Sequence, residues 1–535
     1  MGIAGGGSVG QRDGRRRESL TSALVQVALV AVLLGAAVTY VVHRGRVREE
    51  TDTRLKAAQA LALRGNPADL EKALAELDAL FQVDADVYGA HTLAADLHTA
   101  LWLEHRREGA EAKAREHLAK AEALESKDVE RYGAKVVRAW VLLAEGKPAE
   151  ADQALKVLRD RGANNPKLWL AQARTQQALG NLQGARQAYS RAMEAAWKDP
   201  RYSTAYGEAL LEEGLYAQAG ETLSRATSAN PEHLQARVTA ALATLYLRQR
   251  PEESAAKAVH EVLAREAELT PSLKARALAA RGELALVSGK ADEALKDAEA
   301  ALALSPDEPY ALFGRARALA AKKDPGARAA FEAAAAKRRT APFLYLEGAK
   351  ALQQAGDGAG ALALLDGYEA VFRDVKVPAG DDKTVSALER DDRYWLARGG
   401  VLELAGKQDD ALAAYDQAIG VRGPAQARAQ YAKGSLLLAR KDYPGAREVL
   451  ASVTPDSGAG PVPEAYTAMG EALFGLGNYE AACQNHFFAI SRDRARGVQL
   501  ELLQARAAEI GKRLTSAGQA NMAKAWKAEA DALLK

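Results

Sequence analysis

The residue types best suited to chemistry in this chain are a few histidines and a single cysteine. His91, His98 and His105 recur at every seventh position within one helical segment. Seven residues rise about 10.5 Å along a helix, whereas the ligands of one zinc ion lie about 2 Å from it. Neighbouring histidines at this spacing do not share a metal ion. The pattern instead indicates a common face between packed helices.

A second candidate pair lies near the C-terminus. Cys483 and His486 are three positions apart, which places both on one face of a helix. Two ligands without visible others do not form a zinc site, and one cysteine excludes an internal disulfide. The sequence contains no phosphate-binding loop, dinucleotide-binding glycine motif or HExxH motif. We therefore predict no catalytic residue, metal, cofactor or small-molecule substrate, and the chain is not expected to be an enzyme.

The overall composition favours packed helices and disfavours a nucleic-acid partner. Lys and Arg number 72 and Asp and Glu number 70, a net charge of +2, whereas a nucleic-acid-binding protein needs a basic face. Hydrophobic residues make up 48% of the chain but aromatic residues only 6%. Alanine, the strongest helix former, supplies much of this apolar content.

The N-terminal region has the composition of a membrane anchor. Residues 1–19 are rich in Gly and then basic, and we interpret them as a flexible tail. The segment that follows, Leu20–Val42, contains no formally charged residue. At about 1.5 Å per residue this segment can cross a hydrocarbon core about 30 Å thick. The main alternative is a cleaved signal sequence, whose apolar part is usually shorter, about 7–15 residues.

Basic residues flank the apolar segment on both sides, so its orientation is only weakly encoded. Four arginines precede it, and five basic residues follow it: Arg44, Arg46, Arg48, Arg54 and Lys56. Exporting a short tail with four arginines is unfavourable. We therefore expect a single-pass protein of the inner (cytoplasmic) membrane, with the tail inside and the main domain in the periplasm. The cytoplasmic side is the alternative.

The rest of the chain repeats one pattern of small and aromatic residues at a constant interval. The interval from Ala151 to Ala185 equals that from Ala185 to Ala219. Two adjacent copies within Lys167–Pro231 are clear. Their matching residues are Trp169, Ala173, Gly180, Ala185, Tyr189 and Ala192, then Gly207, Gly214, Tyr216, Ala219, Leu223, Ala226 and Pro231. A repeat of this length and composition resembles the tetratricopeptide repeat (TPR) family.

This resemblance implies an all-α TPR solenoid. In the family, antiparallel helix pairs form a right-handed superhelix whose first helices line the concave side. We count about twelve repeats in addition to the N-terminal transmembrane helix. No sheet is expected, because no segment shows sustained alternation of apolar and polar residues. Small residues at the eighth and twentieth positions let two helices approach, and large ones such as Trp169 and Tyr189 fill the space around them.

The clarity of the period divides the chain into segments. We predict degenerate helical repeats over 52–130, regular arrays over 131–373 and 392–491, a loop or short helical insertion over 374–391, and terminal capping helices over 492–535. A loop rich in Pro, Gly and Ser, residues 452–463, precedes the last clear repeat. The terminal helices are charged on one side, as the end of a solenoid must be to stay soluble.

The repeat register also separates packing residues from candidates for binding. By the family's geometry, the second, fifth, ninth and twelfth positions of each repeat are free on the first helix. We predict a protein-binding groove that includes Lys167, Leu170, Arg174, Gln177, Arg201, Glu208, Glu283, Phe343, Lys350, Tyr431 and Glu471. Some TPR proteins clamp a C-terminal carboxylate with Lys and Asn at the fifth and ninth positions. Here these positions hold Leu170 and Arg174, then Thr204 and Glu208, so that type of capture is not expected.

The resemblance implies a function in protein–protein interaction. The leading hypothesis is a membrane-anchored scaffold or adaptor that binds a peptide or helix of partner proteins along the groove during assembly of envelope complexes. The second hypothesis is an adaptor facing the cytoplasm, which recruits a soluble enzyme or protease to the inner membrane. An enzyme is a distant third, because no long stretch is free of the repeat.

Overall fold

Successive antiparallel helix pairs make up the chain, as the repeat predicts. The computed structural model describes residues 20–125, 132–160, 165–378, 383–453 and 462–535. The predicted tail, 1–19, and most of the predicted loop over 452–463 lie outside these residues. The described helices, numbered in chain order, are α1 Leu20–Ala62, α2 Pro67–Val83, α3 Tyr88–Leu103, α4 Ala110–Ala123, α5 Gly133–Ala144, α6 Pro148–Asp160, α7 Pro166–Ala178, α8 Leu182–Ala195, α9 Pro200–Glu212, α10 Tyr216–Ala229, α11 Leu234–Arg248, α12 Glu253–Ala264, α13 Pro271–Val287, α14 Ala291–Leu304, α15 Pro309–Ala321, α16 Ala327–Lys337, α17 Pro342–Ala355, α18 Gly358–Phe372, α19 Asp392–Leu404, α20 Gln408–Val421, α21 Gln426–Ala439, α22 Tyr443–Ala451, α23 Ala465–Gly475, α24 Tyr479–Ala495, α25 Leu500–Ser516 and α26 Ala520–Leu533.

Local sequence signals set the ends of these helices. Asn165 caps α7 by accepting a hydrogen bond from the Lys167 backbone N–H at 2.9 Å. Pro166 occupies the first turn, where the N–H that proline lacks would be unpaired. The turn after α7 contains Gly180 at φ 80°, a left-handed conformation that favours glycine. These residues therefore fix where α7 begins and where the chain turns into α8.

Small residues let the two helices of a pair come close together. A methyl group built on Gly399 of α19 would overlap the ring of Tyr415 on α20. The same relation holds between Gly207 on α9 and Leu223 on α10. In both pairs the glycine is at the eighth position of the repeat and the large side chain is at the twenty-fourth. Close packing thus explains the residue pattern, as the sequence predicts.

The first helix is longer than the sequence predicts. We expected an anchor over Leu20–Val42 and a separate helix near residues 54–64, but α1 runs unbroken from Leu20 to Ala62. Its length is about 65 Å at 1.5 Å per residue. Among the described residues, α1 is the one helix long and apolar enough to cross a membrane. Its apolar part is exposed from Leu24 to Val42, whereas Ala58 and Ala62 are buried against the next helices.

One small sheet corrects the expectation of no strands. Lys376–Pro378 and Thr384–Ser386, here β1 and β2, form an antiparallel pair in which Val377 lies opposite Val385. A short 3-10 turn, Leu388–Arg390, follows them. The segment predicted as a loop or helical insertion is therefore a hairpin, although residues 379–382 lie outside the described chain. Such short strands cannot show a detectable alternation.

The helix pairs wind so tightly that a second turn of the superhelix stacks on the first. The turn between α1 and α2 meets the loop between α10 and α11. Asn66 donates from Nδ2 to the Glu232 carbonyl and accepts from the Leu234 backbone N–H, both at 3.0 Å. Asn230 donates to the Arg64 carbonyl at 2.9 Å. One turn of the superhelix therefore contains about five helix pairs.

Further contacts continue this stack along the chain. Ser272 donates to the Glu104 carbonyl at 3.1 Å, and Arg106 forms an ion pair with Asp307 at 3.0 Å. Arg393 donates to the Glu213 carbonyl. The partners are 168, 201 and 180 positions apart. The turns that end first helices in the first half of the described chain thus contact the first turns of later first helices, or the loops just before them, about one superhelical turn later.

The stacking ends near α19, and the remaining pairs form an open arm. A methyl group built on Gly289, Gly356, Gly406 or Gly477 would meet nothing within 4 Å. These glycines lie in the turns after α13, α17, α19 and α23. The same position is covered after α1, α7 and α9, at Gly65, Gly180 and Gly214, but not after α5, at Gly146. Over the described residues, the superhelix is therefore closed through about ten helix pairs and open from α21 onward.

Candidate functional site

The eleven predicted groove residues all lie on first helices, but they belong to two different environments. Lys167, Leu170, Arg174 and Gln177 are on α7, Arg201 and Glu208 on α9, Glu283 on α13, Phe343 and Lys350 on α17, Tyr431 on α21, and Glu471 on α23. Those on α7, α9 and α13 face the interior of the closed turns. Those on α17, α21 and α23 lie at or beyond the point where the superhelix opens.

A buried ionic network fills the closed interior. Glu208 contacts Arg174 at 3.5 Å and also Arg276, and it accepts from Gln235 at 2.7 Å. Arg276 in turn contacts Glu308 at 3.3 Å. Burial alone would raise the pKa of Glu208, but the guanidiniums of Arg276 and Arg174 outweigh this effect and hold the pKa below its ordinary value. Glu208 is thus a charged group of the core, paired on both sides.

A second set of side chains closes the interior beside this network. Gln177 donates to Glu212 at 2.9 Å and accepts from the Tyr189 hydroxyl at 2.8 Å. Arg338, from the next superhelical turn, contacts Glu212 at 2.8 Å. Glu283 is buried in an ion pair with Arg317. The buried polar groups here form hydrogen bonds and ion pairs with one another and do not face an open groove.

These contacts show that the predicted groove positions differ in their exposure to solvent. Positions two, five, nine and twelve are not generally free, because Gln177, Glu208, Glu283 and Phe343 are all buried. Two kinds of contact bury these positions. Some join the first helices of adjacent pairs, as between Glu283 and Arg317, and others come from more distant pairs of the tightly wound chain, as between Glu208 and Arg276. The repeat pattern itself follows from packing between neighbouring helix pairs, and it does not predict contacts with more distant pairs. Whether any of the eleven residues binds a partner stays a prediction.

Lys167, Leu170 and Arg201 surround a small internal space. Lys167 is paired with Asp96 at 2.5 Å, and Arg201 with Asp199 at 2.6 Å. The cavity between them is partly open to solvent and has a volume of about 60 Å³. Ligand sites typically have volumes of about 300–1,000 Å³, so this cavity has no room for a segment of polypeptide.

A larger cavity opens where α17, α19 and the end of α9 meet. Its volume is about 400 Å³. The residues that line it are Glu213, Gly214, Phe343, Leu346, Glu347, Ala349, Lys350, Gln353, Arg393, Leu396, Ala397, Gly400 and Val401. Glu347 and Lys350 form an ion pair at 3.7 Å, and Gln353 donates to the Gly400 carbonyl at 3.1 Å. This cavity, which we call the α17–α19 cavity, combines an apolar wall with charges of both signs.

A neighbouring cavity of about 350 Å³ shares Glu213 and Arg393 with it. Burial raises the pKa of Glu213 to about 7, although Arg186 and Arg393 oppose the shift. The Glu213 carboxyl contacts Arg186, and the Glu213 carbonyl accepts from Arg393. Glu213 and Arg393, which line both cavities, therefore separate them.

The repeat register does not identify Glu213 or Glu347 as residues of this region. Glu213 follows α9 in the chain, and nothing in its own repeat indicates a partner 180 positions later. Glu347 is on α17, one turn before Lys350, at a position that the family's geometry does not assign to the groove. The sequence signal that could have found it is the Glu–Lys pair at an i, i+3 spacing.

The open arm presents the last two predicted residues. Tyr431 on α21 is partly exposed, and the Arg428 guanidinium lies 5.9 Å from the centre of its ring. Glu471 on α23 accepts two hydrogen bonds from Arg513 on α25, at 2.8 and 2.9 Å. The arm thus continues the inner surface beyond the α17–α19 cavity.

The three histidines spaced seven positions apart separate into two clusters, because α3 ends at Leu103 and His105 lies in the turn that follows. His91 and His98 lie beside His117 of α4, with the Nδ1 atoms of His91 and His117 3.0 Å apart and the His98 and His117 rings stacked. His105 is buried elsewhere, near Arg276 and His233. Among the described residues, no group of three or more His, Cys, Asp or Glu side chains could hold a metal ion. The expected interhelical face is therefore confirmed for His91 and His98 and is wrong for His105.

Comparison with known proteins supports the repeat assignment. The tetratricopeptide repeat model matches residues 136–200, 170–234, 279–342 and 396–461. No curated protein sequence matches the chain. A human IFIT1 dimer with PPP-AAAA is 18% identical over 79% of this chain and 93% of that chain, with a TM-score of 0.41. The APC/C hetero-tetramer Cut9–Hcn1 is 12% identical over 82% and 92%, with a TM-score of 0.37. The matched segments and their helix pairs show that the chain contains tetratricopeptide repeats, an architecture of protein-interaction scaffolds.

Proposed function

We propose that this chain is a membrane-anchored scaffold that binds a peptide or helix of a partner protein at the α17–α19 cavity and the adjoining arm. The observation that carries the proposal is the cavity itself, with a volume of about 400 Å³ at the mouth of the closed superhelix. The corresponding surface nearer the N-terminus is occupied by the paired charges of Glu208, Arg174 and Arg276. A partner therefore has room in the second half of the solenoid.

The lining of the cavity specifies the kind of segment that it would accept. Leu346, Leu396 and Val401 form an apolar wall, and Glu347 and Lys350 stand beside it. A volume in the range of about 300–1,000 Å³ is typical of ligand sites. An apolar or aromatic anchor side chain, flanked by polar residues of both signs, would fit these walls. The open face of α21 and α23 would extend the contact.

The membrane part of the proposal rests on α1. Its apolar half, Leu24–Val42, is exposed, whereas apolar helices of a folded core are buried. We place this segment in the inner membrane of a bacterial envelope and the repeats in the periplasm, where the scaffold would serve assembly of envelope complexes. Arg44, Arg46 and Arg48, directly after the apolar segment, favour the second candidate, an adaptor that faces the cytoplasm.

Site-specific photocrosslinking tests the binding site. A photoreactive residue at Leu396, inside the α17–α19 cavity, is expected to capture a partner in intact cells. The same residue at Arg447, exposed on α22, serves as the matched control. Mass spectrometry of the adduct would identify both the partner and the peptide attached. Equal labelling from the two positions, or none from Leu396, would refute the proposed site.

Reporter fusion tests the orientation separately. Alkaline phosphatase joined after Lys535 is expected to be active, while a fluorescent protein that matures only in the cytoplasm is expected to stay dark. The opposite pair of results would place the repeats in the cytoplasm and favour the adaptor. This result does not depend on which residues contact the partner.

A further inference from the structure

The charged residues that follow the apolar part of α1 are sorted by sign along the helix. Arg44, Arg46 and Arg48 lie two, four and six positions beyond Val42. In an unbroken helix these steps place them about 3, 6 and 9 Å beyond the hydrocarbon edge. A bilayer about 40–45 Å thick with a core of about 30 Å has a headgroup layer of roughly 5–8 Å on each side. The backbones of Arg44 and Arg46 therefore lie at the depth of the headgroups, and that of Arg48 lies at the outer edge of this layer, where its long side chain can still reach a phosphate.

Acidic residues begin only beyond that depth. Glu49, Glu50 and Asp52 lie about 10–15 Å past Val42 on the same helix. A mixed sequence of charges would neutralise itself at every level. Here the positive charges come first and the negative charges follow outside the headgroup layer, so the helix presents net positive charge to the phosphates.

The arginines of this group are not used by the solenoid. Arg46 and Arg48 are exposed and form no ion pair with a described residue, and Arg44 donates only to the Tyr40 hydroxyl of its own helix, at 3.3 Å. Arg54, further along the helix, behaves differently, because it pairs with Glu50 at 3.1 Å and with Glu76 at 3.3 Å. The change from unpaired to paired arginines coincides with the start of protein packing.

The arginines also point to different sides of the helix. Successive members are two positions apart, about 200° around the helix axis. A protein partner on one face would meet at most two of them, Arg44 and Arg48. A layer that surrounds the helix would meet all three. Tyr40, an aromatic residue with a polar tip, stands at the boundary where such side chains are common.

We propose that Arg44, Arg46 and Arg48 form a collar that binds the phosphates of anionic phospholipids where α1 leaves the bilayer. The inference rests on the proposed membrane anchor and adds the chemistry of its lipid partner. Because α1 continues without a break into the first helix pair, lipid held by the collar lies directly beneath the first repeat.

Lipid selectivity of the full chain tests the collar. The detergent-purified protein would be placed in nanodiscs containing equal amounts of phosphatidylglycerol and phosphatidylcholine. The lipids that stay bound would then be counted by native mass spectrometry. The wild-type chain is expected to retain phosphatidylglycerol preferentially, with each arginine contributing about fivefold, which corresponds to ~1 kcal/mol. The triple variant R44Q/R46Q/R48Q is expected to lose the preference.

A matched variant separates the collar from general charge. R447Q/R494Q/R496Q removes three exposed arginines of the arm and is expected to leave the preference unchanged. If the triple collar variant integrates into nanodiscs and still prefers phosphatidylglycerol, or if the wild type shows no preference, the collar is refuted. If the wild-type chain is recovered in the soluble fraction without lipid, the anchor itself fails, and the collar fails with it.

Discussion

Acid is expected to destabilise this protein through its buried histidines, and His233 offers a clean test. Burial lowers the pKa of His233 to about 4, with Arg201 contributing in the same direction and Asp199 and Glu208 opposing. The side chain is 1% exposed and lies where the two superhelical turns stack. Because the pKa in the folded protein is below the ordinary value of 6.5, the unfolded chain binds the proton more readily. The contribution of neutral His233 to the free energy of unfolding is therefore fully present above about pH 6.5 and is lost as the pH falls toward 4.

The size of this effect follows from the two pKa values. At pH 5 the unfolded histidine is almost fully protonated, and the folded one is protonated to about a tenth. The ratio of the binding polynomials is about 30, which costs roughly 2 kcal/mol relative to pH 7. Glu213 acts in the opposite direction, because burial raises its pKa to about 7 and protonation therefore favours the folded state. A comparison of variants is consequently more informative than the total pH dependence.

The substitution His233→Asn removes the titration while keeping the local hydrogen bond. His233 caps α11 by accepting from the Ala236 backbone N–H at 3.1 Å, and an Asn side chain can accept the same bond. Thermal unfolding of the detergent-solubilised chain would be followed by circular dichroism at pH 7 and pH 5. The decrease in the free energy of unfolding between pH 7 and pH 5 is expected to be smaller in the variant by roughly 2 kcal/mol, about a fifth of the stability of a typical protein.

The control is His260→Asn, at an exposed position on α12. This variant is expected to show the same pH dependence as the wild type. The reasoning is refuted if His233→Asn and wild type lose equal stability between pH 7 and pH 5. A His233→Asn variant that is less stable than wild type at pH 7 still supports the reasoning if it loses less stability between pH 7 and pH 5. Only the change in stability between the two pH values measures the protonation of His233.

Three substitutions test the packing described above. Asn66→Ala removes two hydrogen bonds between the stacked turns and is expected to cost about 1–3 kcal/mol; amide exchange at the α1–α2 turn should rise, and unchanged exchange would contradict the stacking. Glu208→Leu leaves Arg174 and Arg276 without their shared partner and is expected to cost about 3–5 kcal/mol, measured as a fall in Tm; a neutral result would mean that water reaches the network. Gly399→Val should cost at least about 1–3 kcal/mol by overpacking its helix pair, and a wild-type Tm would show that the pair can separate freely.

The sequence predicts local features of this fold well and distant ones poorly. Trp169, Gly180 and Gly399 are explained within a single helix pair, and their spacing suffices to predict that pair. The contact between Asn66 and Glu232 depends on the small angle by which each helix pair is rotated relative to the next. Small rotations accumulate over five pairs, and no single residue encodes their sum. The hairpin at Val377 was missed because its strands are short.

The same limit applies to the candidate site. The register correctly placed Phe343 and Lys350 on a first helix, and both line the α17–α19 cavity. It could not show that Glu208 is buried in the closed part, since its partner Arg276 lies 68 positions away in the chain. Whether a first-helix residue faces solvent is decided by superhelical winding, which the length of the repeat does not encode.

The stacked turns also constrain how this chain can change over evolution. In an ordinary solenoid, one repeat can be duplicated or deleted because each contacts only its neighbours. Here the α1–α2 turn must meet the α10–α11 loop, so inserting one helix pair between them would shift every later contact by about a fifth of a turn. Asn66 would then face the wrong loop. The number of pairs between α1 and α19 is therefore fixed by geometry, whereas the arm from α21 onward can gain or lose pairs without this penalty.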